Sequence, residues 1–230
     1  CFTTRFDSVC ARFVSRVMVN AGVTTSALVK SAGKKEGDGF IFNDNSWTIN
    51  SESIKCLIKK VFETDDFIEV NPNNLKQGDI VIWGYYCRRT QHITIFDSYD
   101  SSNAINTFGE PGWGGVDNPR PAELHKPMPI LSGGWYVYKA YRYIGDLSET
   151  EKANARKNAY TRKEMTLNQA VKEAQKYSGK YSDSTKNAIF VNRLVADGIL
   201  TEKECADVAG IRFDSDGYQI TPWKVAARKP

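Results

Sequence analysis

The spacing of apolar residues changes character twice along this chain, and that change limits the folds open to it. Residues 10–21 read as a helix, with Phe13, Val14, Val17 and Ala21 at i+3, i+4, i+7 and i+11 from Cys10. Asp7 and Ser8 are capping types just before it, and Gly22 supplies a stop. After a Ser-, Gly- and Asn-rich stretch over 24–50 with a short element near Trp47, SESIKCLIKKVFE (51–63) predicts a second helix. Ser51 or Ser53 caps it, Ile54, Leu57, Ile58 and Val61 form its stripe, and Cys56 packs beside that stripe. Then the period falls to that of strands. NPNNLKQGDIVIW gives a turn and a strand over Ile80–Trp83, HITIFDSY (92–99) a second strand, DSSN (100–103) a turn, AINTF (104–108) a hairpin partner, and GGWYVYKAYRYIG (133–145) a last strand region. Helices followed by several antiparallel strands predict an α+β fold.

Helical spacing returns near the end. DLSETEKANARK (146–157) is a polar linker or connecting helix. MTLNQAVKEAQKYSG, DSTKNAIFVNRLVADGIL and TEKECADVAG each open on a capping residue and close near Gly, and Thr201 with Glu204 forms a capping box. Cys205 falls inside the last of these as a core residue. The expected organisation is a domain over 1–148 and a small all-α module over 149–230. Residues 151–230 hold 15 Lys/Arg against 10 Asp/Glu, so this tail carries the basic character of a chain whose net charge is only +4. Such a tail fits docking to a protein or a weak attraction to polyanions such as teichoic acid, anionic lipid or nucleic acid, or simply a solvated surface. FDSDGYQI tempts a calcium reading, but Arg212 and Trp223 occupy the positions where a calcium loop needs acids, and a Ser-Asp-Gly turn accounts for it better.

Five cysteines, Cys1, Cys10, Cys56, Cys87 and Cys205, make an odd number without a CxxC pair, so no disulfide framework is expected. Two histidines, His92 and His125, make a poor zinc set. A Cys–His pair is the remaining question. Cys10 enters a helix, where about half a positive charge and unpaired N–H groups stabilise a thiolate. The same N–H groups can hold the oxyanion of acyl transfer. His92 opens a strand of alternating apolar residues, which holds its ring at a set place as a general base requires. Cys87 lies five residues before His92 beside Arg88 and Arg89, but a loop thiol lacks the helix N-terminus. Cys1 with its own amine is another nucleophile by chemistry alone. His125, in AELHKPMPIL, reads as a loop histidine.

The segments CARFVSRVMVNAG, LKQGDIVIW and QHITIFDSY resemble the CHAP family (cysteine, histidine-dependent amidohydrolases/peptidases) and its NlpC-type relatives, which are papain-like. The resemblance covers roughly residues 1–145. It rests on Cys10-Ala11-Arg12-Phe13-Val14 at the helix start, Gly78-Asp79 before a hydrophobic strand, and His92-Ile93-Thr94-Ile95. It implies a papain-like fold, Cys10 as nucleophile, His92 as base, and cleavage of amide bonds in bacterial peptidoglycan. The third member stays open between Glu110, preferred on CHAP spacing, and Asn106, where NlpC-type relatives carry a polar residue. A backbone N–H at Cys10, with a polar group such as Ser8, would hold the oxyanion.

The mechanism needs no metal or cofactor. Trp83, Arg88 and Trp113 are the candidate substrate-binding residues, with Trp47, Tyr85 and Tyr86 as further groove aromatics. Arg88 and Arg89 would meet an acidic substrate group, or would be a plain solvated pair. Trp83 and Trp135 could equally be core. Peptidoglycan is the expected partner, nucleic acid is not, and no apolar run reaches the about 18 residues of a membrane span. The expected location is extracellular, in the bacterial wall or periplasm, or on a phage particle. No signal peptide is visible, and a start at Cys1 predicts a processed form or a piece of a longer protein. Two rivals share the pattern: an acyltransferase or protease toxin acting on another amide, and an inactive wall-binding component.

Overall fold

The computed structural model describes residues 9–24, 54–55, 57–85, 88–109, 123–124, 135–161 and 192–203. Helix α1 spans Val9–Asn20, a π-helical turn Ile58–Phe62, and then come strands β1 (Phe67–Glu69), β2 (Ile80–Tyr85), β3 (Arg88–Tyr99), β4 (Ile105–Gly109), β5 (Glu123–Leu124) and β6 (Trp135–Tyr143). Helix α2 follows at Glu149–Lys157. The strands form one antiparallel sheet in the order β1-β6-β2-β3-β4-β5. This is the α+β arrangement the sequence predicts.

The chain divides into two compact units. One takes residues 1–82, 92–128 and 139–161, and the other 83–91, 129–138 and 162–230. Strands β2, β3 and β6 each begin in one and end in the other.

In the first unit, the stripe expected for the second helix is the buried one: Ile54, Leu57, Ile58 and Val61 are all at most 8% exposed. Burying such side chains contributes about 1.5–3 kcal/mol each. Phe62 extends the same cluster. It stacks on Tyr141 at 5.2 Å and meets Phe67 edge-on at 5.3 Å. Helix α1 corrects the sequence reading. Its buried face is Cys10, Ala11, Val14, Ser15 and Met18, while Val17 is 36% exposed, Ala21 exposed and Phe13 half-buried. The face is rotated toward the small residues Ala11 and Ser15. Gly22, at φ +72°, stops α1 as expected. Val23 N–H donates to Met18 O and Gly22 N–H to Val19 O, the paired bonds of a Schellman cap.

The GD turn is held from three sides. Gly78 takes φ +92°, which costs a glycine least. The Asp79 carboxylate, 2% exposed, accepts from Lys76 N–H at 2.7 Å and from both Arg142 Nε (2.9 Å) and Nη2 (2.7 Å). Phe96 N–H donates to Asp79 O and Gly78 N–H to Phe96 O, so the turn is stitched to β3. Tyr99 Oη accepts from Leu75 N–H and donates to Pro72 O, closing the same loop. Beyond it, Asp100 Oδ1 accepts from Ser102 and Ala104 N–H, which shapes the expected DSSN turn with Asn103 at φ +61°. Residues 149–157, read as linker or helix, are helix α2 with a Ser148–Glu151 capping box. Tyr160 N–H then donates to Glu69 O, covering part of the β1 edge.

In the second unit, Trp83, Tyr136 and Val195 are fully buried, and Leu194 and Ala196, beside Val195 in the helical residues 192–196, are buried. Gly198, at φ +77°, closes that helix with Gly198 N–H to Val195 O and Ile199 N–H to Leu194 O, a second Schellman cap. Glu204 of the expected capping box and Cys205 lie outside the described residues.

Candidate active site

Cys10 is the second residue of α1, in the first turn as the sequence predicts, and is a thiol outside any disulfide. Its residue is only 7% exposed, at one margin of the buried face of the helix. Helix α1 packs against β4. On β4 the buried side is Ile105, Thr107 and Gly109, with Asn106 and Phe108 half-buried on the other. The helix that begins at Cys10 therefore lies over the Ile105–Thr107 face.

The register carries that face to β3. Phe96 pairs with Thr107 and Ile95 with Phe108. Alternate residues of a strand share a face, so Phe96, Thr94 and His92 stand on the Thr107 side. His92 and the helix of Cys10 thus share one face of the sheet. Thr94 and Phe96 are buried there and His92 is half-buried. Burial strips water from the imidazole and lowers its pKa from 6.5 to about 4. The neutral ring therefore dominates near neutrality.

Asn106 is placed differently. It sits across from Ser98, past an irregularity between Phe96 and Ser98, and its Nδ2 donates to Ser98 Oγ at 3.2 Å. Alternation puts it with Phe108 and Ile95, on the face opposite His92. Glu110, the other candidate for steadying His92, lies outside the described residues, as do Ser8, Trp113, Trp47, Tyr86, Cys1, Cys56, Cys87 and His125.

The expected substrate contacts divide. Trp83 is 0% exposed, so its indole is core and offers no wall to a ligand. Tyr85 and Trp135 pack on each other at 4.6 Å between ring centroids. Arg88 opens β3. Its neighbour Arg89, read as a residue for an acidic substrate group, instead donates from Nε to Val195 O and from Nη2 to Leu200 O, both at 2.9 Å. Its backbone N–H donates to Glu202 Oε1 at 2.8 Å. Sequence reading missed this set because its partners lie 106 to 113 residues away. It also missed Thr107, fully buried on the His92 face with no hydrogen-bond partner for its hydroxyl among the described residues. Only the alternation of INTFG hints at that position.

Among the described residues no three of His, Cys, Asp and Glu gather as a metal site, and no helix is long and apolar enough to cross a membrane. Comparison with family models, with curated proteins and with solved structures finds no match.

Proposed function

We propose that this chain is a papain-like cysteine hydrolase of the CHAP or NlpC type that cleaves amide bonds in bacterial peptidoglycan. One observation carries the reading: a thiol in the first turn of α1 and a desolvated, neutral histidine on β3 serve the same face of one sheet. In the mechanism, His92 takes the Cys10 proton as the sulfur attacks the amide carbonyl carbon. Because desolvation disfavours the imidazolium, this transfer accompanies attack, and the pair rests as thiol and imidazole. Helix N-terminal N–H groups receive the developing oxyanion. The imidazolium then protonates the leaving amine as the C–N bond breaks. Water, activated by the neutral ring, releases the acid product and restores the thiol. Glu110 is carried forward as the residue that orients the ring. The basic residues of 149–230 fit attraction to a wall polyanion.

The burial of Cys10 favours a second reading, in which the thiol is packing and the chain is an inert wall-binding component. Digestion of several wall chemotypes, followed by mass spectrometry of the muropeptides, separates the two. New amino termini from wild type, absent with Cys10→Ala, support hydrolysis. Wall binding without any new terminus supports the inert component.

A further inference from the structure

We propose that Arg89 is a positioning residue: by binding residues 195–202 it ties the strand that carries His92 to the C-terminal part of the chain. The inference rests on the role proposed for His92 and adds a means of control over it. Val195 O lies in the last turn of the helical residues 192–196, where backbone carbonyls run out of helical partners and partial negative charge collects, and Leu200 O lies in the bend that follows the Gly198 turn. The planar guanidinium spans both with separate N–H donors, as only a fork-shaped cation can. The Gly198 cap shapes the turn between those two carbonyls. The Tyr138 ring of β6 lies 5.9 Å from the guanidinium carbon, adding a cation–π contact. The Glu202 carboxylate meanwhile takes the backbone N–H of Arg89 itself, which fixes the strand and not only the side chain.

His92 lies three residues further along β3, about 10 Å at strand rise. On its far side, β4 pairs with β3 from Ile95 onward, and the Gly78–Asp79 turn binds Phe96. The histidine is therefore held between two anchors, one of which is made by the C-terminal residues. Displacing residues 195–202 frees the first anchor and loosens the strand that aims the ring. Occupation of the C-terminal segment by a partner would in this way reach the chemistry along a single strand.

The test uses the full chain with Arg89→Ala, Arg89→Lys, Glu202→Ala and Glu202→Gln. His92 is titrated by NMR, its signal assigned by its absence in His92→Gln, and kcat and KM are measured on solubilised peptidoglycan. Arg89→Ala and Glu202→Ala are expected to raise the His92 titration midpoint by about one unit or more as water returns. They should lower kcat by about 10- to 100-fold, the scale of a small misplacement, with KM within about twofold. Glu202→Gln should restore wild-type behaviour, since its amide oxygen still accepts from Arg89 N–H. Arg89→Lys should recover only part, since a point ammonium lacks the fork. If Arg89→Ala does not fold, Glu202→Ala carries the test with the guanidinium intact. Folded variants with the wild-type midpoint and kcat overturn the proposal. An altered midpoint in a chain that cuts no wall would retain the tie while removing the hydrolase reading.

Discussion

Removing the His92 imidazole should change how stability depends on pH, in one direction and over one window. The perturbation is His92→Gln, which keeps a polar side chain but no group titrating in this range. In the unfolded chain the ring takes up its proton near pH 6.5, whereas in the folded chain burial delays this to about pH 4. Above pH 7 both states hold a neutral ring and the group adds no pH dependence. As pH falls from 6.5 towards 4 the unfolded state binds the extra proton, so the wild type loses stability by about 1.4 kcal/mol per pH unit relative to His92→Gln. The interval of about 2.5 units sets a loss of about 3 kcal/mol, complete below the folded pKa, and the partial exposure of the ring makes this a ceiling. The assay is guanidinium unfolding of both proteins at fixed ionic strength, in steps of about one pH unit between about pH 7.5 and 3.5. Subtracting the two curves removes every other titrating group, including His125. A difference that stays flat across the window would refute the claim that His92 is desolvated, and with it the neutral-base account.

Three further substitutions probe the scaffold. Asp79→Ala removes the bidentate partner of Arg142 and the acceptor for Lys76 N–H. With Arg142 25% exposed and able to recover some water, urea unfolding should show a loss of about 2–3 kcal/mol, below that of a fully buried pair, and an unchanged midpoint would contradict the clamp. Gly84→Ala would drive a methyl into the fully buried Tyr136 ring and should cost about 1–3 kcal/mol. Combining it with Tyr136→Ala should cost less than the two singles added, and strict additivity would argue against the overlap. Thr107→Val replaces a buried hydroxyl, without a partner among the described residues, by a methyl and should raise stability by about 1 kcal/mol. A comparable loss would reveal a polar partner, such as a buried water, that needs that hydroxyl.

Local signals in the sequence were read well where their cause is local. Ile54, Leu57, Ile58 and Val61 repeat at helical spacing and are buried, and Gly22 and the Gly78–Asp79 turn punctuate the chain where left-handed or turn geometry is needed. The buried face of α1 was not read correctly, because Cys10–Val17 and Ala11–Met18 offer two overlapping stripes. Contact with β4 selects the one bearing small residues. Strand β1 is three residues long, too short to show a period. Strand β3 starts four residues before the apolar alternation does, because Arg89 has its partners at Val195, Leu200 and Glu202. The pairing of Asp79 with Arg142 is hidden likewise, since the two lie 63 residues apart. Cys10 stands in the first turn of α1 as its spacing predicts, whereas His92 is the fifth residue of β3 and not its first, and which face Asn106 occupies depends on a register only the folded sheet defines.

The central claim, that the Cys10 thiol is a nucleophile whose base is His92, is tested most directly by trapping the acyl-enzyme. Wild-type protein is incubated with peptidoglycan fragments, acid-quenched, and its Cys10 peptide weighed by mass spectrometry. The account predicts a thioester adduct on the peptide carrying Cys10, absent from Cys10→Ala and greatly reduced in His92→Gln, with new amino termini appearing in step. Wall cleavage that continues undiminished in Cys10→Ala would contradict it.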